Sequence, residues 1–241
     1  MARSSSVSTR RGSTTFWACI KTRRPAAKGE EMPYISGEDL EYIRGEFEKL
    51  PRKVTVKLFL GEGSPTGELL KELMEEVGAI VPEKVALEIA QEPPVELGLD
   101  KTPAIVLQGD DEDYGIRFFG IPSGYEFASF LEAIKDVAAG EAELEEEITR
   151  KLEDIKEPVH IQVFVTPTCP YCPYAVRAAH RFAMASPLIR GDMVMAPDFP
   201  ELSDRYEVMA VPTVVINDRV RFEGAIPEEE FADKVLEAVG S

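Results

Sequence analysis

The stretch "PVHIQVFVTPTCPYCPYA", residues 158–175, matches "KVTVKLFLGEGSPTGELL", residues 53–70, without a gap. Downstream, "TPAIVL" (102–107) recurs as "VPTVVI" (211–216), and "RFFGIPSGYEFASFLEAI" (117–134) recurs as "RFEGAIPEEEFADKVLEAV" (221–239) with one residue of slippage. Three landmarks repeating in the same order identify one structural unit written twice. In each copy, periodicity predicts an amphipathic helix (about 38–50 and 141–155), an apolar strand, a proline-containing turn and a second helix. A strand, a proline-led strand, a partner strand and a closing helix follow.

A strand-helix-strand passage demands a parallel pair, whereas the short connection in "INDRVRF" (216–222) suits an antiparallel hairpin through Asn217 and Asp218. The expected class is therefore α/β, with a mixed central sheet flanked by helices in each of two tandem units. Expected boundaries are a basic extension over 1–31, a first unit over 32–139 and a second over 140–241.

The formal net charge of -17 and an extension whose only charges before Glu30 are basic leave the body strongly acidic. Such a surface repels phosphate backbones and anionic lipid, so neither nucleic acid nor a membrane is an expected partner. No apolar run approaches the roughly 18 residues of a membrane span, and a cytoplasmic location is expected. Asn217 is the one asparagine, and Gln91, Gln108 and Gln162 are the three glutamines, beside abundant Glu, Lys and Arg. That bias predicts a thermophilic source. Residues 1–31 are Ser- and Arg-rich and read as a disordered extension or as sequence before a natural start at Met32, with an organelle-targeting segment as the alternative. Cys19 belongs to that extension and reads as an incidental or structural thiol.

Cys169 and Cys172 are two of only three cysteines, which excludes the disulfide framework of a secreted miniprotein. A CxxC opening a helix sets its side chains about one turn apart and places the first beside free backbone N–H groups, which favour thiolate over thiol. Cys169 is the expected nucleophile and Cys172 the resolving thiol. Pro170 is expected at the first helical position, where its missing N–H costs nothing. A metal site is the weaker reading: His160 and His180 are the only histidines, and neither a second CxxC nor an HxxxH accompanies the pair. Both histidines read as structural. A cis Val211–Pro212 bond would leave the Val211 backbone free to pair with an extended substrate beside the sulfurs.

The motifs "VFVTPTCPYCPYAVRAAH", "GDMV", "YEVMAVPTVVI" and "FEGAIPEEEF" resemble the protein disulfide oxidoreductases of thermophilic archaea and bacteria, which carry two fused thioredoxin-fold, glutaredoxin-like units. The resemblance runs from about residue 35 to 239 and implies Cys169 as attacking thiol, Cys172 as resolving thiol and Pro212 as the cis proline facing them. Val211, Pro212, Pro170 and Tyr171 are the residues expected to contact substrate. No cofactor is bound beyond the redox-active disulfide, and electrons come from an external thioredoxin reductase using NADPH. Partners are protein thiols and disulfides. Two departures stand out: "SPTG" (64–67) replaces the first CxxC, and Val163 stands where thioredoxins bury a carboxylate.

The leading expectation is a protein dithiol-disulfide oxidoreductase with one working site. Three alternatives remain: an electron donor to a peroxiredoxin, resembling the N-terminal part of the alkyl hydroperoxide reductase flavoprotein; a peptide-binding, chaperone-like module with little turnover; and a glutathione-linked iron-sulfur carrier.

Overall fold

A computed structural model of the chain describes residues 34–110 and 112–240. The extension over 1–31, with Cys19, lies outside the described residues. The first passage runs α1 (Gly37–Glu48), β1 (Val54–Phe59), α2 (Pro65–Ile80), β2 (Val85–Ala90), β3 (Ala104–Gly109), β4 (Glu112–Phe119) and α3 (Glu126–Ala139). The second runs α4 (Glu146–Glu153), β5 (Val159–Val165), α5 (Cys172–Ala185), β6 (Ile189–Met195), α6 (Pro200–Arg205), β7 (Thr213–Ile216), β8 (Val220–Glu223) and α7 (Glu228–Val239). Where the second passage places α6, the first has only a three-residue 3-10 turn, Val95–Leu97.

β1 pairs parallel with β2 and antiparallel with β3, and β5 repeats this with β6 and β7. Antiparallel β3–β4 and β7–β8 pairs complete each passage. The β7–β8 connection has three residues, closed by the Arg219 N–H on the Ile216 carbonyl at 3.0 Å, and Asn217 and Asp218 there have φ of 50° and 56°, the left-handed pair that matches strand twist. Parallel pairing of β4 with β6, in register from Ile116↔Gly191 to Phe119↔Val194, joins everything into one eight-stranded sheet, β2-β1-β3-β4-β6-β5-β7-β8.

Alternation along the strands sends side chains to two faces. One face carries the main core, where Phe118, Phe130, Phe182 and Phe231 are fully buried among side chains of α2, α3, α5 and α7. Burying each such ring contributes about 2 to 3 kcal/mol. The other face holds a smaller cluster of Ala104, Phe119, Phe164, Val194 and Val215. Beside it Asp192, fully buried on β6, is held by Arg190 and by His160 Nε2 at 2.6 Å. These partners keep its carboxyl well below the usual carboxylate range against the opposing effect of burial.

His180 shows how the passages lock together. It lies buried on α5, its ring packs at 4.8 Å against Phe118 of β4, and its Nε2–H donates to the Arg117 carbonyl at 3.3 Å. Its Nδ1 has no partner, and burial pulls the imidazole down to about 4. A histidine free in the unfolded chain titrates near 6.5, so the stability associated with neutral His180 is present above that pH and lost as pH falls toward 4. His180→Gln should therefore reduce the loss of unfolding free energy between pH 7.5 and 4.5 by about 2 to 3 kcal/mol, read from urea denaturation at both values.

Candidate active site

β5 ends at Val165, the chain turns through Thr166–Tyr171, and α5 begins at Cys172. Pro170 therefore lies in the bend before the helix and not at its first position, which corrects the expectation from sequence. The reason is the second proline: a helix capped at Cys169 would need a hydrogen bond from residue 173 to the Cys169 carbonyl, and Pro173 has no N–H to give. The first bond here is the tighter one from Tyr174 N–H to the Tyr171 carbonyl at 3.2 Å.

Cys169 and Cys172 form a disulfide with Cα atoms 5.5 Å apart. Cys172 is completely buried and Cys169 nearly so, consistent with an outer and an inner sulfur. The backbone N–H of Cys172 donates to Cys169 Sγ at 3.1 Å. In the reduced state the same donor, at the positive end of α5, favours a thiolate at Cys169. Cys169 Sγ also lies 3.7 Å from the carbonyl oxygen of Val211. Val211–Pro212 is cis, with Pro212 buried and Val211 half-buried, and strand pairing of β7 begins only at Thr213. Pro170, Tyr171 and Tyr174 are exposed around the pair.

The first passage repeats this geometry with different atoms. The N–H of Gly67 donates to Ser64 Oγ at 3.0 Å, the same three-residue reach, and Thr102–Pro103 is cis. Here the acceptor, Ser64 Oγ, is a helix cap. A Cβ at Gly67 would lie 2.5 Å from the Leu60 carbonyl oxygen, so this turn has no room for a second thiol without moving backbone.

Sequence reasoning missed Glu126. It opens α3, is completely buried, and neither carboxyl oxygen has a hydrogen-bond partner. Burial pushes it up to about 8. The residues leading into it are fastened to the active-site turn: the N–H of Tyr125 donates to the Pro167 carbonyl at 3.1 Å, and Gly124, at φ 62°, presses on that carbonyl with no space for a Cβ. Its counterpart in the repeat, Glu230, is exposed on α7. The available signal was a single acid inside the apolar run "YEFASFL" (125–131). Val163 is fully buried and apolar, so β5 supplies no carboxylate at that place. Among the described residues, no cluster of three or more His, Cys, Asp or Glu side chains is arranged to hold a metal ion, and no helix is long and apolar enough to cross a membrane.

A thioredoxin-fold pair of cysteines at the start of a helix, beside a cis proline, defines a class of redox protein, and comparison with known proteins agrees. Residues 159–237 match the thioredoxin domain family. The crystal structure of a protein disulfide oxidoreductase from Aeropyrum pernix superposes with a TM-score of 0.77 at 30% identity, over 85% of this chain and 94% of that one. The NTD_N/C domain of alkyl hydroperoxide reductase AhpF from Enterococcus faecalis gives 0.77 at 28% identity, over 83% and 99%. The F component of alkyl hydroperoxide reductase from Staphylococcus aureus is 28% identical over 176 residues, 73% of this chain and 32% of the relative. The chain spans about a third of the length of the curated relatives it matches. It belongs to the thioredoxin-fold disulfide oxidoreductases.

Keeping Glu126 uncharged has a stability consequence. Its folded value lies above that of an exposed carboxyl, so its contribution is intact at acid pH and is lost as pH rises through about 8. Glu126→Gln should therefore raise the unfolding free energy relative to the parent by about 4 kcal/mol more at pH 8 than at pH 5, measured by chemical denaturation.

Proposed function

We propose that this chain is a protein dithiol-disulfide oxidoreductase that works through Cys169 and Cys172 of a C-terminal thioredoxin-like unit (140–241), beside an N-terminal unit (32–139) without redox cysteines. The observation that carries the reading is the Cys172 N–H aimed at Cys169 Sγ next to the open Val211 backbone. An extended substrate segment pairs with Val211, held in place by the turn at Pro212, and touches Pro170 and Tyr171 on the other side of the sulfurs.

In the reduced enzyme, the Cys169 thiolate attacks one sulfur of a substrate disulfide, forming a mixed disulfide and releasing the other substrate sulfur as a thiolate. Cys172 then loses its proton and attacks Cys169 Sγ. The Cys169–Cys172 bond forms, the mixed disulfide breaks, and the substrate leaves with two thiols and two more electrons. Glu126 is the buried group that exchanges the Cys172 proton. Its complete burial, its two unpartnered oxygens and the attachment of its helix start to Pro167 support this role. No cofactor takes part. An external reductase, a thioredoxin reductase drawing on NADPH, regenerates the dithiol.

A second reading follows from the near-complete coverage of the E. faecalis AhpF domain: the dithiol hands its electrons to a peroxiredoxin. Oxidation of the pre-reduced chain by a peroxiredoxin disulfide, faster than by insulin, would favour it.

The test of the main reading is turnover. Cys169→Ser should abolish dithiothreitol-driven insulin reduction, while Cys172→Ser should accumulate a mixed disulfide with insulin, visible by non-reducing electrophoresis. Equal rates for the parent and Cys169→Ser would remove the enzymatic reading. Glu126→Gln should slow release of that mixed disulfide at pH 7 while leaving iodoacetamide labelling of Cys169 unchanged.

A further inference from the structure

Four large apolar side chains stand out by exposure among the described residues: Val95 at 90%, Met209 at 89%, Tyr174 at 68% and Tyr171 at 66%. Three of them lie close in sequence to the cysteines and the cis proline. Tyr171 sits between the two cysteines, Tyr174 projects from the first turn of α5, and Met209 precedes by two residues the Val211 carbonyl that faces Cys169 Sγ. The tyrosines thus flank the cysteines within the CPYC segment, and the thioether lies two residues before the carbonyl that faces Cys169 Sγ. In a chain of net charge -17 these three uncharged, exposed side chains give the redox motif an apolar rim along the sequence. Large exposed apolar groups around a reactive centre mark a contact surface.

The methionines differ sharply in access. Met74, Met193 and Met195 are buried and Met184 is half-buried, so Met209 is the one exposed methionine among the described residues. A thioether in water is open to oxidation by hydroperoxides, and the resulting sulfoxide is polar where the thioether was apolar.

We propose that Met209 is an oxidation-sensitive docking residue: with Tyr171 and Tyr174 it seats an extended apolar segment of a protein disulfide substrate, and its conversion to the sulfoxide by a hydroperoxide weakens that seat without touching the sulfur chemistry. In the modifying step the O–O bond breaks, one oxygen is transferred to the methionine sulfur, and the S=O bond forms. The sulfur loses two electrons, and the hydroperoxide is reduced to its alcohol, or to water, with its proton retained. The Val211 carbonyl and the cysteine pair stay as they are, so a small disulfide that needs no rim still reacts. The inference rests on the oxidoreductase reading and names which class of substrate the same site selects.

The experiment treats the disulfide form of the chain with hydrogen peroxide, which spares the paired cysteines, and removes the excess with catalase. Peptide mass mapping should show a single added oxygen on Met209 before any on Met74, Met193 or Met195. Steady-state reduction of insulin should then show KM raised roughly three- to tenfold, with the rate on bis(2-hydroxyethyl) disulfide unchanged. Treatment with the two methionine sulfoxide reductases should restore the original KM. Met209→Leu, compared with its own untreated sample, should show no change after peroxide. An unaltered insulin KM with Met209 fully oxidised, or an equal rise in the Leu variant, would overturn the proposal. Absence of turnover on both disulfides before treatment would sink the oxidoreductase reading and this one with it.

Discussion

The backbone N–H at the head of a helix, reaching back three residues to a side-chain atom, is the interaction on which this molecule turns. At α5 it meets Cys169 Sγ at 3.1 Å; at α2 it meets Ser64 Oγ at 3.0 Å. The unsatisfied donors of a helix start need an acceptor. An oxygen there gives a cap and ordinary stability. A sulfur there receives the same donor, and in the proposed chemistry that donor and the dipole favour the attacking anion over the thiol. One local geometry thus serves structure in one half of the chain and chemistry in the other.

The first passage is more than a spent copy. Its α3 begins against the Pro167 carbonyl of the second, its β4 pairs with β6, and Lys101 and Asp100, just before its cis proline, reach the Asp192–Arg190 pair on the opposite face. The active-site turn is accordingly braced across the repeat, with the sulfurs on the second passage and the Pro167 carbonyl held by the Tyr125 N–H of the first. Glu126 is destabilising when charged, and a buried acid kept at such a cost one residue from that brace fits the pattern of a functional residue.

Much of this was legible beforehand because it is local. The repeat, the strand order within each passage, the Asn217–Asp218 hairpin and the inner and outer positions of the two cysteines follow from period, turn chemistry and spacing over short distances. The helix start was misread by two residues at Pro170, although the residue that forbids it, Pro173, stood in the same line of sequence. The missing thiol of the first passage was plain as Gly67; that the turn is closed to any side chain there needed the Leu60 carbonyl.

The sequence by itself determined which residues form strands and helices and which two sulfurs can pair, since those depend on neighbours a few positions away. Only the tertiary structure decided that both passages share one sheet and that Glu126 is sealed beside the active-site turn while its repeat partner Glu230 faces water. The physical reason is that burial, and with it the protonation state of a carboxyl, is set by contacts between residues far apart in the chain. The apolar run around Glu126 and the acidic one around Glu230 set the two apart in sequence, but only the contacts of the fold seal one of them.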